Sequence, residues 1–411
     1  MRLVLAQLNP IIGDLDGNAD KIFEACKSIN DKSVDLVITP ELSLIGYPPK
    51  DLLLNPLLFK EEKDALNKLC KRLNNFNRSV SVLIGIAEPT PDIKIPKLYN
   101  SVVILEKGTW RIVARKQLLP TYDVFDEKRY FRSAESSSIL NLNYQKKLWK
   151  IGITICEDIW VEQSLQNEKI LGKDPISSLE KEKLDLLINL SASPFIQSKS
   201  LLRQRIAAKA AIRLSSPVIY VNQVGANDEL IFDGSSFILD KEGNLRQELP
   251  AFKESVVLYD MTSLNKKQSS LTADQTSQEV LFRALVLGVK DYARKCNFNS
   301  AIIGLSGGID SALVATIAVA ALGVSKVHAI LMPSPWSSLG SVRDATTLAN
   351  RLGVDHQKIP ISDLMNSYND VLSTSISGIP TGSTAENLQS RIRGTILMAL
   401  ANQKNHLLLS T

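Results

Sequence analysis

Histidine is nearly missing from this chain. Only His328, His356 and His406 carry an imidazole, so none precedes position 328. Hydrolytic chemistry in that long N-terminal stretch must proceed without a Ser-His-Asp or Cys-His arrangement, and histidine-rich metal sites are excluded there too. Cysteine is sparse as well. Cys26, Cys70, Cys156 and Cys296 lie far apart, with neither zinc-ligand spacing nor the density of a secreted disulfide framework. No apolar run approaches the ~20 residues of a membrane span, and Met1-Arg2-Leu3-Val4-Leu5-Ala6-Gln7 is too short in its apolar run for a signal peptide. Charge of one sign is not concentrated: the net +5 is spread along the chain. Basic pieces such as Leu202-Arg203-Gln204-Arg205 fall in a helical pattern and read as a solvated face. Neither nucleic acid nor a membrane is implied as a partner, and the absences together predict a reduced, cytoplasmic protein. Also missing are Gly-x-x-x-x-Gly-Lys-Ser/Thr and Gly-x-Gly-x-x-Gly, which removes Walker-type and dinucleotide-type phosphate loops.

What is present is an α/β pattern. A chain of 411 residues predicts two or three domains, and 44% hydrophobic against 22% charged residues is enough to fill sizeable cores. Short apolar strands are expected at Leu3–Ala6, Leu36–Thr39, Val82–Ile86, Val102–Leu105, Ile112–Ala114, Ile151–Thr154, Leu186–Leu190, Val218–Val221 and Phe237–Leu239. Helical patterns fall at Ala19–Asn30, Phe59–Asn74 and Lys199–Leu214. Many strands with few helices predict two packed sheets covered by helices, an α-β-β-α sandwich over residues 1–262. Residues 263–276 are polar and weakly periodic and read as a linker. From Ser277 onward a helix opens a second unit, 277–411, whose strands Ala301–Leu305 and Val327–Leu331 alternate with helix as in an open, Rossmann-like parallel sheet.

The sharpest local signal is Ser306-Gly307-Gly308-Ile309-Asp310-Ser311, between the apolar run Ala301–Leu305 and the helical run Ala312–Ala321. A Gly-Gly turn from strand to helix lets backbone N–H groups crowd an anion at the positive helix end. Ser306 and Ser311 add hydroxyls, and Asp310 adds a carboxylate where a magnesium ion can bridge to phosphate. A glycine turn that merely joins strand to helix is the plainer alternative. In the first unit Glu41, Lys116 and Cys156 each stand at the end of a strand-like run. A thiol needs a base and nearby positive charge to become a nucleophile, and with no histidine a carboxylate can take the proton while an ammonium steadies the oxyanion. Taken singly, Cys156 reads equally as a small core residue, and Glu41 and Lys116 as surface charges.

Their surroundings carry a resemblance. Pro40-Glu41-Leu42-Ser43-Leu44-Ile45-Gly46-Tyr47, Arg115-Lys116-Gln117-Leu118-Leu119-Pro120, Cys156-Glu157-Asp158-Ile159-Trp160 and Asn189-Leu190-Ser191-Ala192-Ser193-Pro194-Phe195 resemble segments of the nitrilase/amidase superfamily, in order. The Ser306–Ser311 loop resembles that of the ATP pyrophosphatases, whose domain is adenine nucleotide α-hydrolase-like. The two in one chain are similar to the glutamine-dependent NAD+ synthetase family, over essentially the whole length. The resemblance implies that Cys156 attacks the glutamine amide, with Glu41 as general base, Lys116 at the tetrahedral intermediate and Glu127 supporting the lysine. It implies that Tyr122, Phe125, Glu157, Ser193 and Lys199 hold the glutamine. It places ATP phosphates on Ser306, Gly307, Gly308, Asp310 and Ser311, magnesium on Asp310, and deamido-NAD+ on Asn387 and Arg391. Leu331–Ser338 matches the family's mobile loop near ATP, and an ordinary Pro/Ser turn is its plainer reading. For Asn387 and Arg391 the plainer reading is an amphipathic helix with a basic outer face.

The implied activity is a carbon–nitrogen ligase, with ATP and Mg2+ as requirements, glutamine and deamido-NAD+ as substrates, a protected passage for ammonia, and a homo-oligomeric assembly. One departure stands out. The chain stops at Asn405-His406-Leu407-Leu408-Leu409-Ser410-Thr411, an expected strand, where the family continues with an acidic magnesium-binding segment and more sheet. A synthetase domain truncated at that point, with a poorly soluble exposed strand, is the corresponding expectation. The main alternative is a stand-alone nitrilase-type amidase with a non-catalytic nucleotide-binding C-terminal unit. A GMP or asparagine synthetase is argued against by the missing N-terminal histidine and by Arg2 at the second position.

Overall fold

In strand β1 (Arg2–Gln7), Val4 and Ala6 pack in one apolar cluster and Leu3 and Leu5 in another, because successive side chains leave a strand on opposite faces. That alternation sets the layering of the N-terminal part. The computed structural model describes residues 1–29, 34–76, 80–90, 96–144, 147–162, 172–264, 276–376 and 378–411. It divides the chain into two units, Met1–Val280 and Leu281–Thr411. The expected linker falls mainly on residues 265–275, which lie outside the described residues.

After β1 the first unit continues with β2 (Leu36–Ile38), β3 (Ser81–Pro89), β4 (Leu98–Glu106), β5 (Thr109–Arg115), β6 (Ser138–Tyr144) and β7 (Lys147–Ile155). Then follow β8 (Leu186–Ser191), β9 (Val218–Asn222), β10 (Val224–Asn227), β11 (Leu230–Asp233), β12 (Phe237–Leu239), β13 (Leu245–Glu248) and β14 (Ser255–Asp260). Two six-stranded sheets result, ordered β14-β1-β2-β3-β4-β5 and β13-β12-β9-β8-β7-β6, with β10 and β11 as a separate hairpin. Leu3, Leu5, Leu36 and Ile38 of the first sheet meet Ile151, Ile153, Leu186 and Ile188 of the second in the central cluster. The helices Leu15–Lys27 and Pro56–Asn75 cover the outer face of the first sheet through Ile22, Leu66 and Leu69. The helices Pro175–Leu179 and Lys199–Leu214 cover the second through Ile176, Ile206 and Ala210. The order of layers is therefore α-β-β-α.

The second unit is a parallel sheet of β15 (Ala301–Gly304), β16 (Val327–Leu331), β17 (Asp355–Lys358) and β18 (Leu407–Leu409), ordered β17-β16-β15-β18. Helices Ile309–Leu322 and Leu339–Leu352 pack on one apolar cluster through Ala318, Ala345 and Ala349. Helices Ser362–Leu372 and Gly382–Lys404 pack on another through Met365, Ile392 and Ala401.

Candidate active site

Three strand ends of the first unit converge. Glu41 follows β2, Lys116 follows β5 and Cys156 follows β7, and all three side chains are buried. The turn bearing Glu41 lies directly against β3. A Cβ on Gly85 would stand 2.2 Å from the Leu42 nitrogen, so only glycine permits that approach. Lys116 Nζ donates to Glu41 Oε1 at 2.7 Å and to Glu127 Oε1 at 2.8 Å. Glu41 is held further by Asn100 Nδ2 at 2.7 Å and by the Ala192 backbone N–H at 2.9 Å. Tyr47 Oη donates to Glu127 Oε1 at 2.8 Å.

Electrostatics assigns the charges. Burial draws the Lys116 ammonium down, but the Glu127 and Glu41 carboxylates more than offset it, so its pKa lies well above the usual lysine value. Burial raises Glu127 to about 7, against the opposing pull of Lys116. Burial likewise pushes the Cys156 thiol well above its ordinary range, with Glu41 adding to the rise and Lys116 opposing it. The sulfur therefore rests as a thiol, and would become nucleophilic only on losing its proton. Cys156 itself has φ +44°, a left-handed conformation that a side chain adopts at a cost and that is common at functional turns.

Around this centre the other expected residues fall into two sets. Glu157 is buried and accepts from Tyr122 Oη at 2.8 Å, and the Tyr122 and Phe125 rings meet edge to face at 5.5 Å. Burial raises Glu157, with Tyr122 and then Lys116 opposing the rise. Lys199 opens the helix Lys199–Leu214, and its Nζ stands 5.6 Å from the Trp160 ring centre. Its pKa is lowered by burial and then by the Arg203 charge. Ser193 is already engaged: its hydroxyl accepts from Arg203 Nε at 3.0 Å, and Arg203 Nη2 also binds the Ser193 and Pro194 carbonyls, both at 2.9 Å. Arg203 is in turn anchored by Asp233 through Nη1 at 2.7 and 2.8 Å. Asn100 and Tyr47 escape sequence reading because each works through a partner distant in the chain. Arg203, expected on a solvated face, is instead buried because Asp233, 30 positions on, pairs with it.

In the second unit Ser306–Ser311 joins β15 to the N-terminus of the helix Ile309–Leu322. Gly307 has φ +87°, and a Cβ there would meet the Ser341 carbonyl oxygen at 2.2 Å. The hydroxyls of Ser306 and Ser311 are 2.9 Å apart, and Gly308 N–H donates to Ser306 Oγ at 3.2 Å. Asp310 is exposed in the first helical turn. Beside the loop lies a cavity of about 470 Å3 lined by Ser306, Leu331, Met332, Ser341, Arg393 and Leu397, among others. Leu331, Met332, Pro333 and Ser337 bring the expected loop segment onto its wall. Arg393 donates to the Met332 carbonyl at 3.1 Å, and no carboxylate pairs with it among the described residues. Asn387 and Arg391 are exposed, and Arg391 Nη1 turns back onto the Asn387 carbonyl at 3.2 Å.

Comparison with known proteins places both halves. Residues 2–265 match the carbon-nitrogen hydrolase family and residues 281–411 match the NAD synthase family. The glutamine-dependent NAD(+) synthetase of Synechocystis sp. is 46% identical over all of this chain and 73% of its own length. The chain belongs to the glutamine-dependent NAD+ synthetase family. The synthetase of Thermotoga maritima is 36% identical, with all of this chain and 74% of that one aligned. Among solved structures, the glutamine-dependent NAD+ synthetase of Acinetobacter baumannii, in complex with adenosine diphosphate, superposes with a TM-score of 0.88 at 35% identity. That alignment covers 100% of this chain and 74% of the other. A nitrilase-superfamily amidase from Nesterenkonia AN1 shares the fold of the first unit, at 18% identity and a TM-score of 0.50 over 64% of this chain and 90% of its own. The synthetase family thus combines, in one polypeptide, the two sheet architectures described above. Among the described residues no helix is long and apolar enough to cross a membrane.

Proposed function

We propose that the chain hydrolyses glutamine in its first unit and uses the ammonia to amidate deamido-NAD+ in its second, with ATP consumed to AMP and pyrophosphate. The observation that carries this reading is the buried Lys116 ammonium shared between Glu41 and Glu127 at 2.7 and 2.8 Å, in a site whose sulfur is Cys156. Two of the three lysine protons are committed to carboxylates, which leaves one to face an oxyanion.

Cys156 Sγ attacks the amide carbonyl carbon of glutamine as its proton passes to Glu41. Collapse of the tetrahedral intermediate breaks the C–N bond, Glu41 returns the proton to the departing nitrogen, and a thioester and ammonia result. Water deprotonated by Glu41 then attacks the thioester, releasing glutamate and restoring the thiol. Glu157 offers a carboxylate to the α-ammonium of glutamine and Lys199 a cation to its α-carboxylate, with Tyr122 and Phe125 as an aromatic wall. Ser193 offers its O–H proton, since its Oγ only accepts from Arg203 while its backbone N–H is committed to Asn222.

In the second unit the nicotinate carboxylate displaces pyrophosphate from ATP, and ammonia then displaces AMP from the resulting mixed anhydride. Ser306, Gly307, Gly308 and Ser311 present donors to the phosphates at a helix N-terminus, and the cavity beside them is large enough for a nucleoside. Asp310 is the side chain that would hold Mg2+, a single carboxylate being enough when phosphates supply other ligands; the ion neutralises phosphate charge. Asn387 and Arg391 fit deamido-NAD+ as an exposed pair on one helix. A reducing cytoplasmic setting suits the four free cysteines, and exposed Leu52, Leu54 and Leu57 give homo-oligomeric assembly an apolar face.

The test is ammonia release from glutamine by the parent and by Cys156→Ala, with ATP and deamido-NAD+ added in turn and NAD+ assayed. The expected outcome is release that vanishes in the variant and NAD+ formation by the parent. Release without NAD+ would leave a working glutaminase without synthetase activity, and release from other amides without ATP dependence would instead support an amidase. Unchanged release in the variant would sink the Cys156 assignment.

A further inference from the structure

One buried carboxylate at this centre has no part in the chemistry above. Asp158 lies two residues after Cys156, is 2% exposed, and spends its side chain on three backbone N–H groups. Its Oδ1 accepts from Gln117 at 2.9 Å and Leu118 at 2.8 Å, the two residues that follow Lys116. Its Oδ2 accepts from Ile155 at 3.1 Å, the residue that precedes Cys156. One carboxylate therefore ties the chain beside the lysine, in one sheet, to the chain beside the nucleophile, in the other. We propose that Asp158 is a positioning residue of the glutaminase, which fixes Lys116 against Cys156 and holds the strained backbone of the nucleophile.

The physical case has three parts. Neither Gln117 nor Leu118 belongs to a strand, so these N–H groups have no sheet ladder to bond to and would be orphaned in the interior without Asp158. The bond to Ile155 closes the short turn Cys156–Ile159 as a capping side chain does, which holds Cys156 at φ +44° against its natural preference. Finally, the lysine and the sulfur reside on different sheets that pack largely through apolar contact. Asp158 bonds the residues next to both, whereas other directional ties across the sheets, Ala192 N–H to Glu41 and Ser236 N–H to Gln7, do not touch the chain beside Cys156. Hydrogen bonds to an ionised acceptor are directional and about twice as strong as neutral ones, so they can set a distance that apolar packing leaves loose.

The inference rests on the glutaminase reading, and the experiment separates the two. Glutamine hydrolysis is measured for the parent, Cys156→Ala, Asp158→Asn and Asp158→Ala, with active sites counted by mass spectrometry as iodoacetamide alkylation of the Cys156 peptide, kept apart from that of the exposed Cys296. If the parent has no Cys156-dependent activity, the glutaminase reading fails. If it has, Asp158→Asn, which keeps the volume but places an amide donor against one N–H, is expected to lower kcat per titrated thiol ~10-fold or more, with KM for glutamine within about twofold. Asp158→Ala is expected to lose more, ~100-fold, and to slow alkylation in parallel. A merely structural role would lower the melting temperature and the fraction of titratable sites yet leave kcat per titrated thiol unchanged. That result, or a rise in KM at constant kcat, overturns the proposal. Asp158→Asn, close in size to the parent, keeps the test decisive should Asp158→Ala not fold.

Discussion

Lys116 is buried with its ammonium between two carboxylates, and its removal has two separable costs. Lys116→Met would leave Glu41 and Glu127 facing each other in the interior, a change worth roughly 3–5 kcal/mol in stability when a buried ion loses its partner. It would also remove the donor to the oxyanion, for which ~10²–10³-fold in kcat is usual. Chemical denaturation and glutaminase assays should therefore both respond, and an active variant of parental stability would refute the arrangement. The pH profile follows from Glu127. Its carboxyl is raised to about 7, so it is largely protonated below that pH and grips Lys116 only as pH rises through it. Glutaminase kcat is expected to climb across pH 6–8, and Glu127→Gln to displace that limb downward, toward Asp158 at about 6. A limb that stays at 7 in Glu127→Gln would assign it to another group. Glu41, Lys116 and Cys156 were legible in the sequence because each closes a strand within a distinctive run of residues. Asn100 and Tyr47 were not. They act on carboxylates 59 and 80 positions away, a pairing that only the packed sheets create.

At the scale of elements, the helix Pro56–Asn75 carries an anomaly on its inner stripe. Glu62 stands among Leu58, Ala65, Leu66 and Leu69, buried, with the Ala87 backbone N–H donating to it at 3.2 Å. Burial raises it to about 8. A carboxyl raised in this way is held neutral by the fold, so above the unfolded value near ~4.3 folding must take up a proton. The resulting penalty grows as pH rises to about 8 and then levels off, reaching on the order of 5 kcal/mol. Glu62→Gln should melt higher than the parent at pH 8, with the gap closing towards pH 5. An equal gap at both pH values would mean that Glu62 is not buried as an acid. The elements themselves were unevenly legible. Lys199–Leu214 and Phe237–Leu239 fall where periodicity puts them, since an amphipathic helix and a buried strand each declare their pattern. The helix at Leu15–Lys27 starts four residues before the expected Ala19, because Asp14 accepts from Gly17 N–H and fixes the end. Strands β6 and β13 went unread: Ser138-Ile139-Leu140-Asn141-Leu142-Asn143-Tyr144 and Leu245-Arg246-Gln247-Glu248 are half-polar, as sheet edges are, and only their neighbours make them strands.

For the molecule as a whole, the sequence pointed to two sites, and the fold builds the first across two facing sheets and the second on a sheet of its own. What sequence could not announce is which arginine reaches the cavity beside Ser306. Asn387 and Arg391 stand four apart on one helix face, yet the Arg391 guanidinium bonds to its own helix while Arg393, two residues on, reaches the cavity wall through Met332. The difference is one of rotation about the helix axis, about 200° for two residues, and it is fixed by Ile392 packing against the sheet. The half-buried Arg393 guanidinium bonds the Met332 carbonyl and Gln389 but no carboxylate among the described residues, and such a group is a strong attractor for phosphate or for a polar base edge. Arg393→Ala should raise the Kd for ATP by ~10-fold or more, the loss of one charge-assisted contact. Arg391→Ala should hold ATP affinity within about twofold, because its charge lies outside the cavity lining. Calorimetric titration of ATP into both variants decides between them. If Arg391→Ala weakens ATP and Arg393→Ala does not, the nucleotide lies along the exposed helix face rather than in the cavity beside Ser306.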